Sequence, residues 1–433
     1  MCSPVLTQHE MTHGSSPTQN SVVSLEWRFR GGVFIIVLLL IAACTSQATA
    51  TPIAQQPVIQ AERTSTWGVV QRIAQAEHAD APALLPRTDN MLLVWTGADE
   101  NEACLYAESE SGIQNILALK AYHPFDVMLF DGGRTITMLW QDRTNYDETS
   151  HLLTATFSID AIAERDVLSV SQQGVRRYSA VQMANTTIRA VFSSSDGVRS
   201  HLYINQVDME ARSQQPQLLR RNADYPALVL DSGGNLRLYW IENEERVYTG
   251  RIDERSGTAE LVDIVEVAQI DLAVGDAIED FSVAFDEAYA HLFWNIRRAD
   301  GRREVQYAYG HVINEIYFAP RPFGIVQEPT TIETSYNSGL VYTARFADTN
   351  FAAWATPLAG QHNILPVAMQ QDDWLGIAYF QNGAMIGYQD VIETGILIGS
   401  PTIGTERNRH LYLAWSEPTT EGYANLYMTT SRR

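Results

Sequence analysis

Residues 226–240 read PALVLDSGGNLRLYW, and this stretch decides the fold. Ala227, Leu228 and Val229 form a short apolar strand. Asp231-Ser232-Gly233-Gly234 has the chemistry of a tight turn. Leu236, Leu238 and Trp240 then alternate with period 2 and end on an aromatic. The second half of this phrase recurs along the chain. It is Met91, Leu93, Trp95; Ile136, Met138, Trp140; Ile188, Ala190, Phe192; and, after Trp240, Ala290, Leu292, Trp294. Three more follow as Tyr342, Ala344, Phe346; Leu375, Ile377, Tyr379; and Leu411, Leu413, Trp415. Pro82 to Trp95, Pro226 to Trp240, Pro366 to Tyr379 and Pro401 to Trp415 are each separated by 13 or 14 residues. A repeat of this kind predicts stacked copies of one supersecondary unit.

Each unit continues with a third strand, as at Leu105-Tyr106, Leu202-Tyr203, Val247-Tyr248 and Leu426-Tyr427. A weaker fourth follows, as at Ile116-Leu117, Leu218-Leu219 and Ile264-Val265. The unit is therefore a four-stranded antiparallel meander. One such meander cannot bury both of its faces, whereas meanders stacked around an axis can. The expected fold is all-β: a β-propeller of four-stranded blades over residues 64–433, with eight blades, or seven if units six and seven form one irregular blade. The last unit stops after its third strand, and an orphan strand at Trp67–Ile73 opens the domain. That strand is expected to complete the last blade and leave no open sheet edge.

The chain has 433 residues, is 45% apolar and carries a formal charge of −21, with Lys120 as its sole lysine. This acidity argues against nucleic acid as a partner, since binding phosphates needs a basic patch. Residues 31–43 read GGVFIIVLLLIAA behind Arg28 and Arg30, a signal-peptide core too short to span a bilayer comfortably. The run ends in Leu40-Ile41-Ala42-Ala43-Cys44, which resembles a bacterial lipobox with Cys44 as the lipidated residue. Residues 1–43 are then a lipoprotein signal peptide, and residues 44–63, rich in Thr, Ala, Gln and Pro, a flexible tether. The expected location is extracytoplasmic, with a lipid anchor in the membrane and a monomeric domain above it. Cys104 is then the last thiol of the mature chain, read as a small buried residue.

The strand ending in Trp, followed by a hairpin and an aromatic strand, resembles the BNR or sialidase-like β-propellers of bacterial lipoproteins. The resemblance is at the level of the repeat. The Asp box S-x-D-x-G-x-T-W is absent; Ser194-Ser195-Asp196-Gly197 comes near it without the spacing or the Trp. A sialidase needs several arginines for its substrate's carboxylate, with an acid and a nucleophile. No arginine falls within the leading strands as read here, and their polar residues Asp126, Gln182, Glu333, Gln370, Gln371 and Glu406 are scattered. No catalytic residue is assigned.

His9-Glu10-Met11-Thr12-His13 matches a zinc-protease pattern but lacks the apolar periodicity of the helix it needs, so no metal or cofactor is assigned. Asp89, Asp131, Asp231, Asp286, Asp372 and Asp373 recur at first turns and read as turn-makers rather than a calcium ring. His151, His201, His291 and His410 fall on different strands and read as exposed strand ends. Two charged loops are the candidate contact sites, because loops on rigid scaffolds carry function. One is the basic hairpin tip with Arg297, Arg298, Arg302 and Arg303; the other is the acidic loop with Asp142 and Asp147. The expected function is a binding or scaffold module for carbohydrate or protein. The alternatives are a divergent sialidase-like glycoside hydrolase and a structural cell-envelope protein.

Overall fold

The computed structural model describes residues 67–431 except 77–79, 88–90, 97–102, 108–123, 143–149, 159–166, 172–173, 184–186, 209–213, 232, 287–288, 313–315, 319, 324, 334–337, 345–350, 356–363, 395–400 and 407–409. Side chains are described outside 103–107, 316, 321–344 and 406. The apolar run 31–43, Cys44, the tether and the His9–His13 motif lie outside these residues, as do Asp89 and the expected strand at Ile116-Leu117. Among the described residues every regular element is a β-strand, and no helix is long and apolar enough to cross a membrane.

The chain is a β-propeller of mainly four-stranded antiparallel blades. Blade 1 has three described strands, Ala83–Pro86, Met91–Thr96 and Ala103–Ala107. Blade 2 comprises Pro124–Asp131, Thr135–Asp142, His151–Ser158 and Leu168–Ser169. Blade 3 comprises Arg177–Gln182, Ile188–Ser195, Ser200–Val207 and Gln217–Arg221. Blade 4 comprises Ala223–Leu230, Leu236–Glu242, Arg246–Asp253 and Glu260–Gln269. Blade 5 comprises Ala277–Asp286, Tyr289–Arg297, Arg303–His311 and Ile316–Tyr317, with Arg321–Phe323 also on its third strand. Blade 6 comprises Phe351–Trp354, Leu365–Gln371, Trp374–Gln381 and Ala384–Glu393. Blade 7 comprises Thr402–Glu406, His410–Pro418 and Ala424–Thr430, and Gln71–Ala76 pairs antiparallel with its third strand, Gln71 opposite Met428 and Ala76 opposite Ala424.

The expectation of eight four-stranded blades is corrected. Among the described residues six sheets have four or more strands, blade 1 has three, and the sheet formed by Ile325–Glu333 and Ser338–Ala344 has two. The two-stranded sheet holds the phrase of unit six, yet it does not stand between blades 5 and 6. Those blades touch directly: Ala284, Phe293, Val305 and Tyr307 of blade 5 share one apolar cluster with Phe351, Ala353, Leu365, Val367 and Phe380 of blade 6. Similarly, Leu375, Ile377 and Tyr379 lie on the third strand of blade 6 rather than the second, because Phe351–Trp354 precedes them in the sheet.

Stacking of the faces builds the core. Each buried cluster is shared by two neighbouring sheets. Blade 1 packs on blade 2 through Leu92, Val94, Met138 and Trp140; blade 4 packs on blade 5 through Tyr239, Ile241, Phe281 and Trp294. Blade 6 meets blade 7 through Ile377, Tyr379, Leu413 and Trp415, and blade 7 meets blade 1 through Tyr412, Ala414, Leu93 and Trp95. Trp140, Trp240, Trp294 and Trp415 have no exposed surface. The strand-ending aromatics are thus packing residues, each contributing on the order of 2–3 kcal/mol by burial.

Candidate functional site

Leading strands of several adjacent blades run beside one another, and in blade 6 it is the second strand, Leu365–Gln371, that lies beside 277–286 and 402–406. The strand 223–230 lies between 177–182 and 277–286, and 83–86 lies between 124–131 and 402–406. Each leading strand begins where the second strand of its blade ends: Pro124 faces Asp142, Ala223 faces Glu242 and Ala277 faces Arg297. One mouth of the ring is therefore formed by these strand starts.

Three leading strands are irregular at this mouth. The pairing shifts between Phe125 and Met128, between Asp224 and Ala227, and between Ile278 and Asp280. Bulges of this kind re-aim side chains and recur beside functional sites. Two residues sit in the left-handed backbone region, Asp126 at φ 49° and Tyr225 at φ 55°. For a tyrosine this is a strained conformation that the surroundings must enforce. The enforcement is visible. The Tyr225 hydroxyl donates to the Ile278 carbonyl at 2.7 Å, and the Arg177 guanidinium lies 3.8 Å over its ring. The Tyr178 hydroxyl donates to the carbonyl of Asp126 and to that of Leu139 at 3.0 Å.

The side chains gathered here are Asp126, Arg177, Asp224, Tyr225 and Asp280, from four successive blades. Asp80, just ahead of blade 1, adds its charge. Asp126 keeps an exposed surface, while the protein around it withdraws much of the water from its carboxyl. Loss of water contact, with the neighbouring Asp280 and Asp80, raises its carboxyl from 3.8 to about 6. The Gln141 amide, donating to Oδ2 at 3.2 Å, and the charge of Arg177 act the other way. Asp280 is also raised, by enclosure first, while the Phe281 N–H at 2.8 Å and Arg177 oppose the shift. Gln141 is itself buried and accepts from the Ser150 hydroxyl at 2.7 Å, which fixes which end of its amide faces Asp126.

Arg177 stands within the leading strand Arg177–Gln182, so the reading that these strands hold no arginine is corrected; strand 3 starts earlier than its apolar residues Ala180 and Val181 suggest. Of the loop candidates, Arg297 and Arg303 are brought to the mouth, both on Glu279, at 3.3 and 2.6 Å. Arg298 is committed to Asp276 at 2.6 Å and Glu304 at 2.7 Å, and Arg302 to Asp300 at 2.8 Å, so both brace the hairpin. Asp142 is buried at the end of its strand, and Asp147 lies outside the described residues.

The expectation that His291 is an exposed strand end is also corrected. It is fully buried, with Nε2 3.0 Å from Asp286 Oδ2 and Nδ1 2.8 Å from the Tyr307 hydroxyl. Asp286 accepts in turn from the Gly383 N–H at 2.9 Å, which ties blade 5 to blade 6. Asp131 and Asp231 do make turns: their carboxylates accept from the N–H of Gly133 at 2.7 Å and of Gly233 at 2.9 Å. Among the described residues no group of three or more His, Cys, Asp or Glu is placed to hold a metal.

No protein-family pattern and no curated protein matches the chain. Solved structures do. A polysaccharide lyase matches with a TM-score of 0.51 at 9% identity, over 89% of this chain and 94% of that one. A Trypanosoma rangeli sialidase matches with a TM-score of 0.43 at 11% identity, over 83% of this chain and 59% of that one. A Fusarium graminearum α-L-arabinofuranosidase matches with a TM-score of 0.45 at 10% identity, over 82% and 97%. At these identities the likeness is one of fold, and what is shared is the propeller.

Proposed function

We propose that this chain is a membrane-anchored, extracytoplasmic propeller that recognises carbohydrate at the mouth formed by Asp126, Arg177, Tyr225 and Asp280. One observation carries the reading: leading strands from four blades, three of them bulged, bring carboxyl, guanidinium and phenol groups together at one end of the ring. Sugar recognition needs fixed hydrogen-bonding groups of this kind on a rigid frame. The polysaccharide lyase that shares the fold supports a carbohydrate ligand, and the lipobox-like run ending at Cys44 supports the anchor. The test is glycan-array binding by the full chain in detergent, followed by calorimetry on the best ligand. Arg177→Met and Asp126→Asn should each weaken binding by about tenfold or more. Binding to no glycan, or binding that neither variant changes, refutes the reading. Anchoring is tested separately: Cys44→Ala should accumulate unprocessed precursor, and normal processing would refute the lipobox.

A second reading, glycoside hydrolysis, is favoured by one specific observation. Asp126 holds its proton up to about pH 6 and stands in the field of Asp280. A protonated carboxyl beside a second carboxyl is the pairing that lets one donate a proton to a leaving oxygen while the other assists attack on the sugar. Hydrolysis of aryl glycosides that disappears in Asp126→Asn would establish it. A glycan ligand that is bound and never cleaved leaves recognition as the function.

A further inference from the structure

We infer that Gln141 and Ser150 are positioning residues of the mouth: they hold Oδ2 of Asp126 and leave its Oδ1 to meet the ligand. That Asp126 meets a ligand rests on the carbohydrate reading above; the chain of contacts behind it does not. The Asp126 backbone is fixed by the bulge between Phe125 and Met128 and by the Tyr178 hydroxyl on its carbonyl. Its carboxyl is held separately. Gln141 is buried near the end of the second strand of blade 2 and donates from Nε2 to Oδ2 at 3.2 Å. Among the described residues no donor reaches Oδ1.

An amide has two ends of nearly the same shape and opposite polarity, so its surroundings must choose which end faces the carboxylate. Ser150 supplies the choice. Its hydroxyl donates to Gln141 Oε1 at 2.7 Å. Ser150 precedes the third strand of blade 2 and bridges to Val175, just ahead of blade 3, accepting from the Val175 N–H at 2.6 Å. The Val175 carbonyl, 2.6 Å from Ser150 Oγ, competes for the one hydroxyl hydrogen. An ionised Asp126 decides the competition. The bond from Nε2 to a carboxylate is charge-assisted and about twice as strong as a neutral one. It turns Nε2 toward Asp126 and leaves Oε1 for Ser150. The chain Ser150–Gln141–Asp126 therefore favours the ionised carboxyl and restrains its rotation. Asp280, Asp80 and Arg177 also act on this carboxyl, with the Tyr178 phenol on the Asp126 carbonyl, and substitutions at 141 or 150 leave all four in place.

The first test needs no ligand and uses the full chain in detergent. The stability advantage of Asp126→Asn grows with pH and levels off where the folded carboxyl has lost its proton, about 6 in the native background. Gln141→Met should move that levelling point up by about one pH unit, a tenfold tighter hold on the proton. Ser150→Ala should move it the same way by less, and Ser150→Thr, which keeps the hydroxyl, should restore the native value. A merely structural role would lower stability at every pH and leave the levelling point unmoved. An unmoved point in both Gln141→Met and Ser150→Ala overturns the inference; if Gln141→Met does not fold, Ser150→Ala against Ser150→Thr decides it alone. On the best glycan from the array, Gln141→Met and Ser150→Ala should each bind about threefold or more weakly at pH 7.5, and undiminished binding by both overturns their role toward the ligand. A moved levelling point with no glycan bound refutes the carbohydrate reading and leaves the positioning of Asp126 standing.

Discussion

Replacing Asp126 by Asn tests the electrostatics of the mouth without reference to any ligand. The folded chain holds this carboxyl at about 6, against 3.8 for an unperturbed aspartate. The folded state therefore binds the proton more tightly than the unfolded one. Stability must fall as pH rises from about 3.8 to about 6, and the full penalty stands above that window. The whole shift would be worth about 3 kcal/mol. Because the side chain keeps an exposed surface, solvent screening reduces this, and about 1 kcal/mol is expected. Asn has no charge to desolvate, and its carbonyl can still accept from Gln141. Asp126→Asn should then be about 1 kcal/mol more stable than the native chain at pH 8 and equal to it near pH 3.5. Urea unfolding at the two pH values measures the difference directly. A variant that is no more stable at pH 8, or whose effect is the same at both pH values, refutes an enclosed, like-charged carboxyl at this position.

The packing and the joints between blades make further predictions. Trp294→Ala removes a fully buried ring whose Nε1 donates to Gln306 at 2.9 Å, and should cost about 3–5 kcal/mol in denaturant unfolding; a loss below about 1 kcal/mol would contradict the packing of blade 4 on blade 5. His291→Ala leaves the buried Asp286 carboxylate with the Gly383 N–H alone and should cost about 3 kcal/mol, read as a lowered thermal midpoint. Removing residues 67–76 unpairs Ala424–Met428 and exposes the edge of blade 7, so size-exclusion chromatography should show aggregation where the native chain is monodisperse.

The fold was legible because its signal is periodic. Trp140, Trp240, Trp294 and Trp415 recur at the end of alternating strands, and each fills the space between two sheets. The count of blades was not legible. Residues 338–344 carry the same alternation as a second strand, and period 2 says only that a segment is extended, not which sheet receives it. The FAAW strand at 351–354 is buried along its whole length, so it shows no alternation to read. The candidate site was harder still. Asp126 stood out as a polar residue in an apolar strand, yet its partners come from blades far apart in the chain. Arg177, Asp224, Tyr225 and Asp280 each precede the apolar part of a leading strand, where no alternation singles them out. A bulge leaves no composition of its own, and a tyrosine at positive φ has no sequence mark at all. His291 was misread because a histidine beside a leucine looks the same whether its ring meets water or the buried carboxylate of Asp286.

The two ends of the ring differ in how their charges are satisfied, and this bears on which end works. At the end carrying the turns between first and second strands, Asp131 and Asp231 have both carboxylate oxygens committed locally, and Asp286 commits Oδ2. Asp131 accepts from Gly133 N–H and from Arg87 at 3.1 Å; Asp231 accepts from the N–H groups of Gly233 and Asn235; Asp286 is sealed against His291. Carboxylates held this way have little left to offer a ligand, which argues against a calcium ring there. At the strand-start end the opposite holds. Asp126 and Asp280 are held in place mainly through backbone contacts, feel the charge of the same Arg177, and sit on bulges. Folding tolerates such positions where the surrounding structure over-determines them. Backbone strain and carboxyls raised by burial coincide where the leading strands begin, and that coincidence, rather than any single residue, is the ground for proposing the site there.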